Sequence, residues 1–209
     1  KTRIIHIKDM EPGDAVGFRP DVAIQRDPET IVFSGKMSYH ANISMADFLV
    51  REIMPTIWEK RPGVKLLIVG KDPPAHITSL QADPRIIVTG TVADMRPYLQ
   101  KATVAAVPLV YGAGIQNKAL EAMACKTPVV TNMKAMIALQ AKPGEDVLVA
   151  DTAEEFSREL LRLIEDPSLQ QQVGQAGLDY VRKHHDWTVL AGKLIHIYEE
   201  AIHHAKILT

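Results

Sequence analysis

The chain has 209 residues, 46% of them hydrophobic and only 5% aromatic, enough for one large domain or two small ones around an aliphatic core. Its formal net charge of −1 provides no basic field, which argues against a nucleic-acid binder that neutralises many phosphates but leaves room for a local diphosphate site. The single cysteine, Cys125, cannot form a disulfide within the chain, and no apolar run approaches the roughly 20 residues that span a bilayer.

Residues 1–29 are polar and broken by Pro12, Gly13, Pro20 and Pro28. They read as a short edge strand near 3–7 followed by an irregular linker, carried over from an N-terminal domain outside this sequence. The apolar stretch at Ile4-Ile5 is too short for a signal peptide. One domain is expected over 30–209. Short apolar runs follow at 31–34, 65–69, 86–89, 104–109, 128–131 and 147–150, and the first three are each closed by or next to a glycine. Continuous runs of this length suit strands buried on both faces.

Helical segments alternate with these runs. Leu49, Ile53 and Ile57 share one face of the first helix, Ser44 and Asp47 are placed to cap its start, and Pro55 is expected to kink or locally loosen it. Shorter helices fit near 76–82, 94–102, 117–126 and 133–140. The last third is helical. Thr152 and Glu155 form a capping box before Phe156, Leu160, Leu163 and Ile164. Pro167-Ser168 opens a second helix through Arg182, and Asp186 caps a third that contains Trp187, Leu190, Leu194, Ile197 and Ala201. The pattern predicts an α/β fold: a Rossmann-like, doubly wound parallel sheet of about six strands with C-terminal helices.

In such a sheet, ligands bind beyond the carboxyl ends of the strands, which directs attention to the loops 35–42, 70–75, 90–94 and 110–117. The first loop begins Gly35-Lys36 and contains neither the dinucleotide fingerprint nor the P-loop pattern. A lysine directly after a strand-end glycine can neutralise a diphosphate, or be an ordinary solvated side chain. The fourth loop, Tyr111-Gly112-Ala113-Gly114-Ile115-Gln116-Asn117-Lys118, leads into Ala119-Leu120-Glu121-Ala122-Met123-Ala124. Glycines ahead of a helix N-terminus suit phosphate, because unpaired N–H groups and the positive end of the dipole lie there. Glu121, bracketed by apolar residues one turn in, could accept from two ribose hydroxyls or lie on the exposed face of the helix. Cys125 reads as a small buried core residue. The adjacent pairs His184-His185 and His203-His204 cannot share a helix face, so they are not read as metal ligands.

At these residues the sequence resembles the retaining glycosyltransferases of family 4, which have the GT-B fold. Their pattern is E-G-x-G-x-x-x-x-E-A-M-A followed by P-V-V; Gly114, Glu121-Ala122-Met123-Ala124 and Pro128-Val129-Val130 match it. The resemblance covers about residues 30–205. The stretch from Phe33 to Asn42, together with Gly114-Ile115-Gln116-Asn117-Lys118, is similar to a bacterial subgroup associated with exopolysaccharide and exosortase gene clusters. The resemblance implies the C-terminal half of a GT-B enzyme. It places Glu121 on the ribose, Gly114, Ile115 and Gln116 at the diphosphate or donor sugar, Gly35 and Lys36 at the diphosphate, and Val92 at the base. Two departures stand out. Ala113 occupies the position of the motif's first glutamate, which touches the donor sugar in relatives, and His40 or a neighbour replaces the second basic residue of the first loop. Lys118 is either a compensating cation or plain surface charge.

The implied reaction moves a hexosyl group from a UDP- or GDP-sugar to a saccharide or lipid-linked acceptor with retention of configuration. Lys36 and Lys118 would stabilise the departing diphosphate. No D-x-D motif ends a strand, so neither metal nor cofactor is expected. Cytoplasmic location is expected, with membrane contact at the inner face made through the absent N-terminal domain; without that domain the chain is expected to be inactive. Two rivals stay open: a nucleotide-sugar 2-epimerase of the same fold, and a non-catalytic module with a degenerate donor site.

Overall fold

The computed structural model describes residues 18–112, 114, 116–186, 189, 191–192 and 194–200. The expected edge strand near 3–7 lies outside them, as do Trp187, Leu190 and Ala201 of the third C-terminal helix, and Ala113 and Ile115 of the fourth loop. Six strands form one sheet: β1 (Thr30–Ser34), β2 (Lys65–Val69), β3 (Ile86–Val88), β4 (Val104–Val107), β5 (Val129–Thr131) and β6 (Leu148–Val149). All pairings are parallel, and the order is β3-β2-β1-β4-β5-β6. This is the doubly wound arrangement read from the alternating runs.

The uninterrupted apolar strands reflect burial on both faces. Ile31 and Phe33 of β1, with Val104 and Ala106 of β4, point into one core layer. Val32, Ala105 and Val107 point into the other. Side-chain direction alternates along a strand, so only a run apolar at every position fills two layers. The first layer is closed by α1 (His40–Phe48), α2 (Met54–Lys60) and α7 (Ala153–Glu165), through Met45, Ile57, Phe156 and Leu160. The second is closed by α4 (Arg96–Lys101), α5 (Asn117–Ala124), α6 (Met133–Leu139) and α8 (Pro167–His184), through Leu99, Ala119, Met123, Met136 and Tyr180. A short α3 (Ala75–Thr78) leads into β3 through a 3₁₀ turn. None of the described helices is long and apolar enough to cross a membrane.

The first helix differs from expectation at its start. It begins at His40, with Tyr39 as N-cap and no side-chain cap, so Ser44 and Asp47 lie within it and do not cap it. Pro55 loosens the helix locally, one of the two outcomes expected of it. A π turn at Leu49–Ile53 precedes it, and the Met54 N–H reaches back five residues to the Leu49 carbonyl. Proline lacks the N–H of an α-helical bond and its ring crowds the carbonyl four residues earlier; the wider turn relieves both problems. The capping box of α7 is present: Glu155 N–H donates to Thr152 Oγ1, and the Glu155 carboxylate accepts from Thr152 N–H. Asp166 caps α8, which runs two residues beyond the expected Arg182.

Residues 18–29 are irregular and mostly exposed, and several of them bond to the domain that follows. The Arg26 guanidinium donates to the carbonyl of Ala102 at 2.6 Å and to that of Lys126. Ala102 ends α4, and Lys126 follows the end of α5. One cation therefore satisfies carbonyls at the negative ends of two helices. Burial pulls its pKa down from the ordinary arginine value. Cys125 lies nearby, 2% exposed, and burial pushes its thiol up to about 12, so it is an inert core residue. His184 and His185 both pack on Tyr180, whose hydroxyl donates to the Leu139 carbonyl at the end of α6.

Candidate functional site

Strand order reverses between β1 and β4, and the loops leaving their carboxyl ends diverge to opposite faces of the sheet. That divergence opens a crevice. Its floor comes from the loops after β1 and β2. Gly35 N–H donates to the Val69 carbonyl at 2.9 Å, and Met37 N–H to that of Lys71 at 2.8 Å. The two loops approach so closely that a Cβ on Gly70 would stand 1.7 Å from the Gly35 oxygen. Only glycine fits there, in space and at its φ of 149°. Asn42 of α1 fixes the same loop by donating from Nδ2 to the Lys36 carbonyl at 2.9 Å. Its buried Oδ1 has no hydrogen-bond partner among the described residues.

The opposite wall is the loop from β4 into α5. Leu109 is buried and anchors it, while Val110 and Tyr111 are exposed. Gly112 and Gly114 have φ of 109° and 102°, backbone that side-chain-bearing residues rarely adopt. The chain then enters α5 at Gln116, the N-cap, with no side-chain cap. Lys118 Nζ lies 3.5 Å from Gln116 Oε1 and 5.9 Å from the centroid of the Phe33 ring. Loss of water around this half-buried ammonium pulls its pKa down to about 8, partly opposed by Glu121. Lys118 is thus half-buried in the lining of the cleft. Glu121 is half-buried and faces the same crevice, not the open helix surface.

The resulting cleft measures about 680 Å³, within the usual range for small-molecule sites. Gly35, Lys36, Val92, Gln116, Lys118 and Glu121 all line it, drawn together from stretches up to 86 residues apart in sequence. Gly114 is exposed on the loop beside it, and Ile115 lies outside the described residues. Residues not singled out from the sequence also line it, notably Tyr39, Asn42, Lys71 and Tyr111. Tyr111 owes its place to contacts with His40 and Ser44, 71 and 67 residues earlier, which local pattern cannot reveal. His40 stands at the rim, its Nδ1 bonded to the Tyr111 hydroxyl. A second depression, about 440 Å³, lies at the other end of the sheet around Arg26, Gln100 and Cys125. Two of its polar side chains are already committed: Arg26 to two carbonyls, and Gln100 to Asp21 N–H and the Arg19 carbonyl. The switch-point cleft is the better candidate on chemical grounds. Among the described residues, no group of three or more His, Cys, Asp or Glu is placed to hold a metal.

The fold recurs in solved glycosyltransferases. The chain is similar to sucrose-phosphate synthase from Thermosynechococcus elongatus, with 20% identity and a TM-score of 0.71, covering 90% of this chain and 51% of that one. It is similar to Anabaena HepE, solved with UDP and glucose, at 15% identity and a TM-score of 0.66, covering 91% and 53%. The C-terminal domain of a group 1 glycosyl transferase from Francisella tularensis aligns at 17% identity and a TM-score of 0.62, covering 83% of this chain and 98% of that domain. The chain spans only 36% of Staphylococcus aureus TarM and about half of the synthase and HepE. No curated protein matches the sequence. The family model for glycosyl transferases group 1 matches residues 28–166. With the sheet order and the near-complete overlap with an isolated C-terminal domain, these matches establish that the chain belongs to the group 1 glycosyl transferases and has the fold of a GT-B C-terminal domain.

Proposed function

We propose that the switch-point cleft binds a nucleoside-diphosphate sugar, UDP- or GDP-linked, for retaining transfer of its hexosyl group to a saccharide or lipid-linked acceptor. The observation that carries this reading is the convergence of two lysines, an uncapped helix N-terminus and a carboxylate in one cleft. Breaking the glycosidic bond places negative charge on the diphosphate. Lys36 and Lys118 offset that charge from two sides, and the N–H groups at the start of α5 add the positive end of a helix dipole. Such groups are fixed before the charge develops, so they favour the transition state over the ground state. Glu121 accepts from the ribose hydroxyls, Gly35 and Gly114 let the backbone approach the phosphates, Gln116 and Ile115 border the sugar, and Val92 marks the base. HepE and TarM were each solved with UDP, which supports a uridine donor.

The acceptor belongs to a second domain of the whole protein, and the reaction fits exopolysaccharide assembly on the cytoplasmic face of a membrane. The two lysines supply the charge without calling on a metal.

Calorimetric titration of the chain with UDP and GDP, beside Glu121→Ala, tests the proposal. Saturable binding of one nucleotide is expected, weakened about tenfold or more in the variant, as the loss of hydrogen bonds to a charged group predicts. Absence of binding by either nucleotide at millimolar concentration would overturn the donor-site reading. Incubating the full-length protein with the donor, and scoring transfer, epimerisation or neither, separates the transferase from its two rivals.

A further inference from the structure

Asn42 is the third residue of α1, a position whose side chain, in a capping box, reaches back to accept from the N-cap N–H. Here the start of α1 has no side-chain cap, and Asn42 instead donates from Nδ2 to the Lys36 carbonyl at 2.9 Å. A carbonyl oxygen only accepts, so the end of the amide that meets it is the nitrogen and the end left over is the oxygen. That Oδ1 is buried, on a side chain 6% exposed, with no hydrogen-bond partner among the described residues. The Lys36 carbonyl also accepts from Tyr39 N–H at 3.1 Å, so it is satisfied without Asn42. A buried orphan acceptor is costly, and the bond that accompanies it rescues no orphan of its own. What that bond does is immobilise a turn. Gly35 and Met37, on either side of Lys36, are tied by their N–H groups to Val69 and Lys71. The Asn42 amide lies against Gly35 so closely that a Cβ there would stand 2.6 Å from Nδ2. Met37 is buried, whereas Lys36 is exposed and lines the cleft. The backbone of this one residue therefore sets where its ammonium can reach.

Resting on the donor-site reading above, we propose that Asn42 is a positioning residue for Lys36: it holds the turn that carries the lysine into the cleft and so raises the cleft's affinity for a diphosphate. It acts through Lys36, since little of its own side chain is open to the cleft. Lysine carries its charge on a flexible four-carbon stem, and a mobile backbone would add to the freedom lost when the ammonium meets a phosphate. Fixing the turn beforehand reduces that loss. The role does not depend on which way a ligand lies in the cleft, only on Lys36 meeting its charged part. It also separates binding from stability. An apolar side chain of the same shape removes the orphan acceptor, leaves the Lys36 carbonyl bonded to Tyr39 N–H, and frees the turn.

The test is calorimetric titration with UDP, GDP and inorganic pyrophosphate of the wild type, Asn42→Ala, Asn42→Leu, Lys36→Ala and the double variant Lys36→Ala, Asn42→Ala, with a thermal melt of each. Both Asn42 variants are expected to bind about fivefold more weakly, the scale of one hydrogen bond, and Asn42→Leu to melt no lower than the wild type. In the Lys36→Ala background, Asn42→Ala should change affinity by less than about twofold, because the group it positions is gone. Amide exchange at Met37 and Tyr39 should quicken in Asn42→Ala while β1 keeps its protection. Losses that multiply in the double variant, full affinity in both Asn42 variants, unchanged exchange at Met37 and Tyr39, or a fall in the melting temperature of Asn42→Leu alongside its lost affinity would each overturn the positioning role and leave the nucleotide site standing. Failure of the wild type to bind UDP, GDP and pyrophosphate would instead bring down the donor-site reading and the positioning role with it.

Discussion

At Lys118 a cation is held half-buried near the face of Phe33, with Glu121 as its nearby carboxylate. The ordinary lysine value of 10.5 falls to about 8 in the folded chain because water is withdrawn from the charged form. The folded state binds its proton less tightly than the unfolded state, so stability rises as pH climbs from about 8 toward 10.5, and the cost of the charge is fully present below about 8. Lys118→Met should therefore melt at a higher temperature than the wild type at pH 7, with the gap closing by pH 10; melts at the two pH values measure it. A gap independent of pH would show that the ammonium is not desolvated. The sequence placed Lys118 one residue inside a helix and left open whether it is a compensating cation or plain surface charge. In the structure it lines the cleft, and Phe33 lies 85 residues earlier in the chain, so no local pattern could have shown that pairing.

Elements were legible wherever their signals are local. The Thr152–Glu155 capping box, Pro167 at the first turn of α8 and the glycine after β1 act within a few residues of themselves, and each sits where its chemistry requires. The first helix was harder, because its start at His40 has no capping side chain to announce it. Arg26 was hidden for a different reason. In sequence it is one charge in a polar stretch, whereas in the fold it closes the carbonyl ends of α4 and α5 together. Arg26→Ala should cost about 2 kcal/mol in urea unfolding, the scale of hydrogen bonds made by a charged group. Arg26→Lys should recover only part, since a single ammonium cannot span both carbonyls as a planar fork does. Full stability in Arg26→Ala would show that the carbonyls are equally well served by water.

For the whole molecule, the alternation of apolar runs and helices was enough to give a doubly wound sheet, because runs apolar at every position need cover on both sides. Strand order was not contained in that pattern. It comes from the side on which each crossover helix packs, and it decides where the cleft opens. The order also ranks the strands by protection. β1 is paired on both sides, with β2 and β4, whereas β6 is two residues long and pairs only with β5. Amide hydrogen exchange should be slowest in β1 and β4 and fastest in β6. Comparable exchange across all six strands would mean that the sheet opens only as one unit.

The π turn before Pro55 carries a further consequence, for counting. A π turn fits one more residue into a helical turn than an α turn does. A chain without the surplus residue spans the same helix with one residue fewer. An alignment drawn without a gap at Leu49–Ile53 would then set every later position one residue out of step, rotating the buried face of the following half-helix, Met54–Lys60, by about 100° against its counterpart. The cleft's own loops lie outside that helix and follow the sheet, so a single gap placed at the turn brings Gly70 and the glycines after β4 back into register.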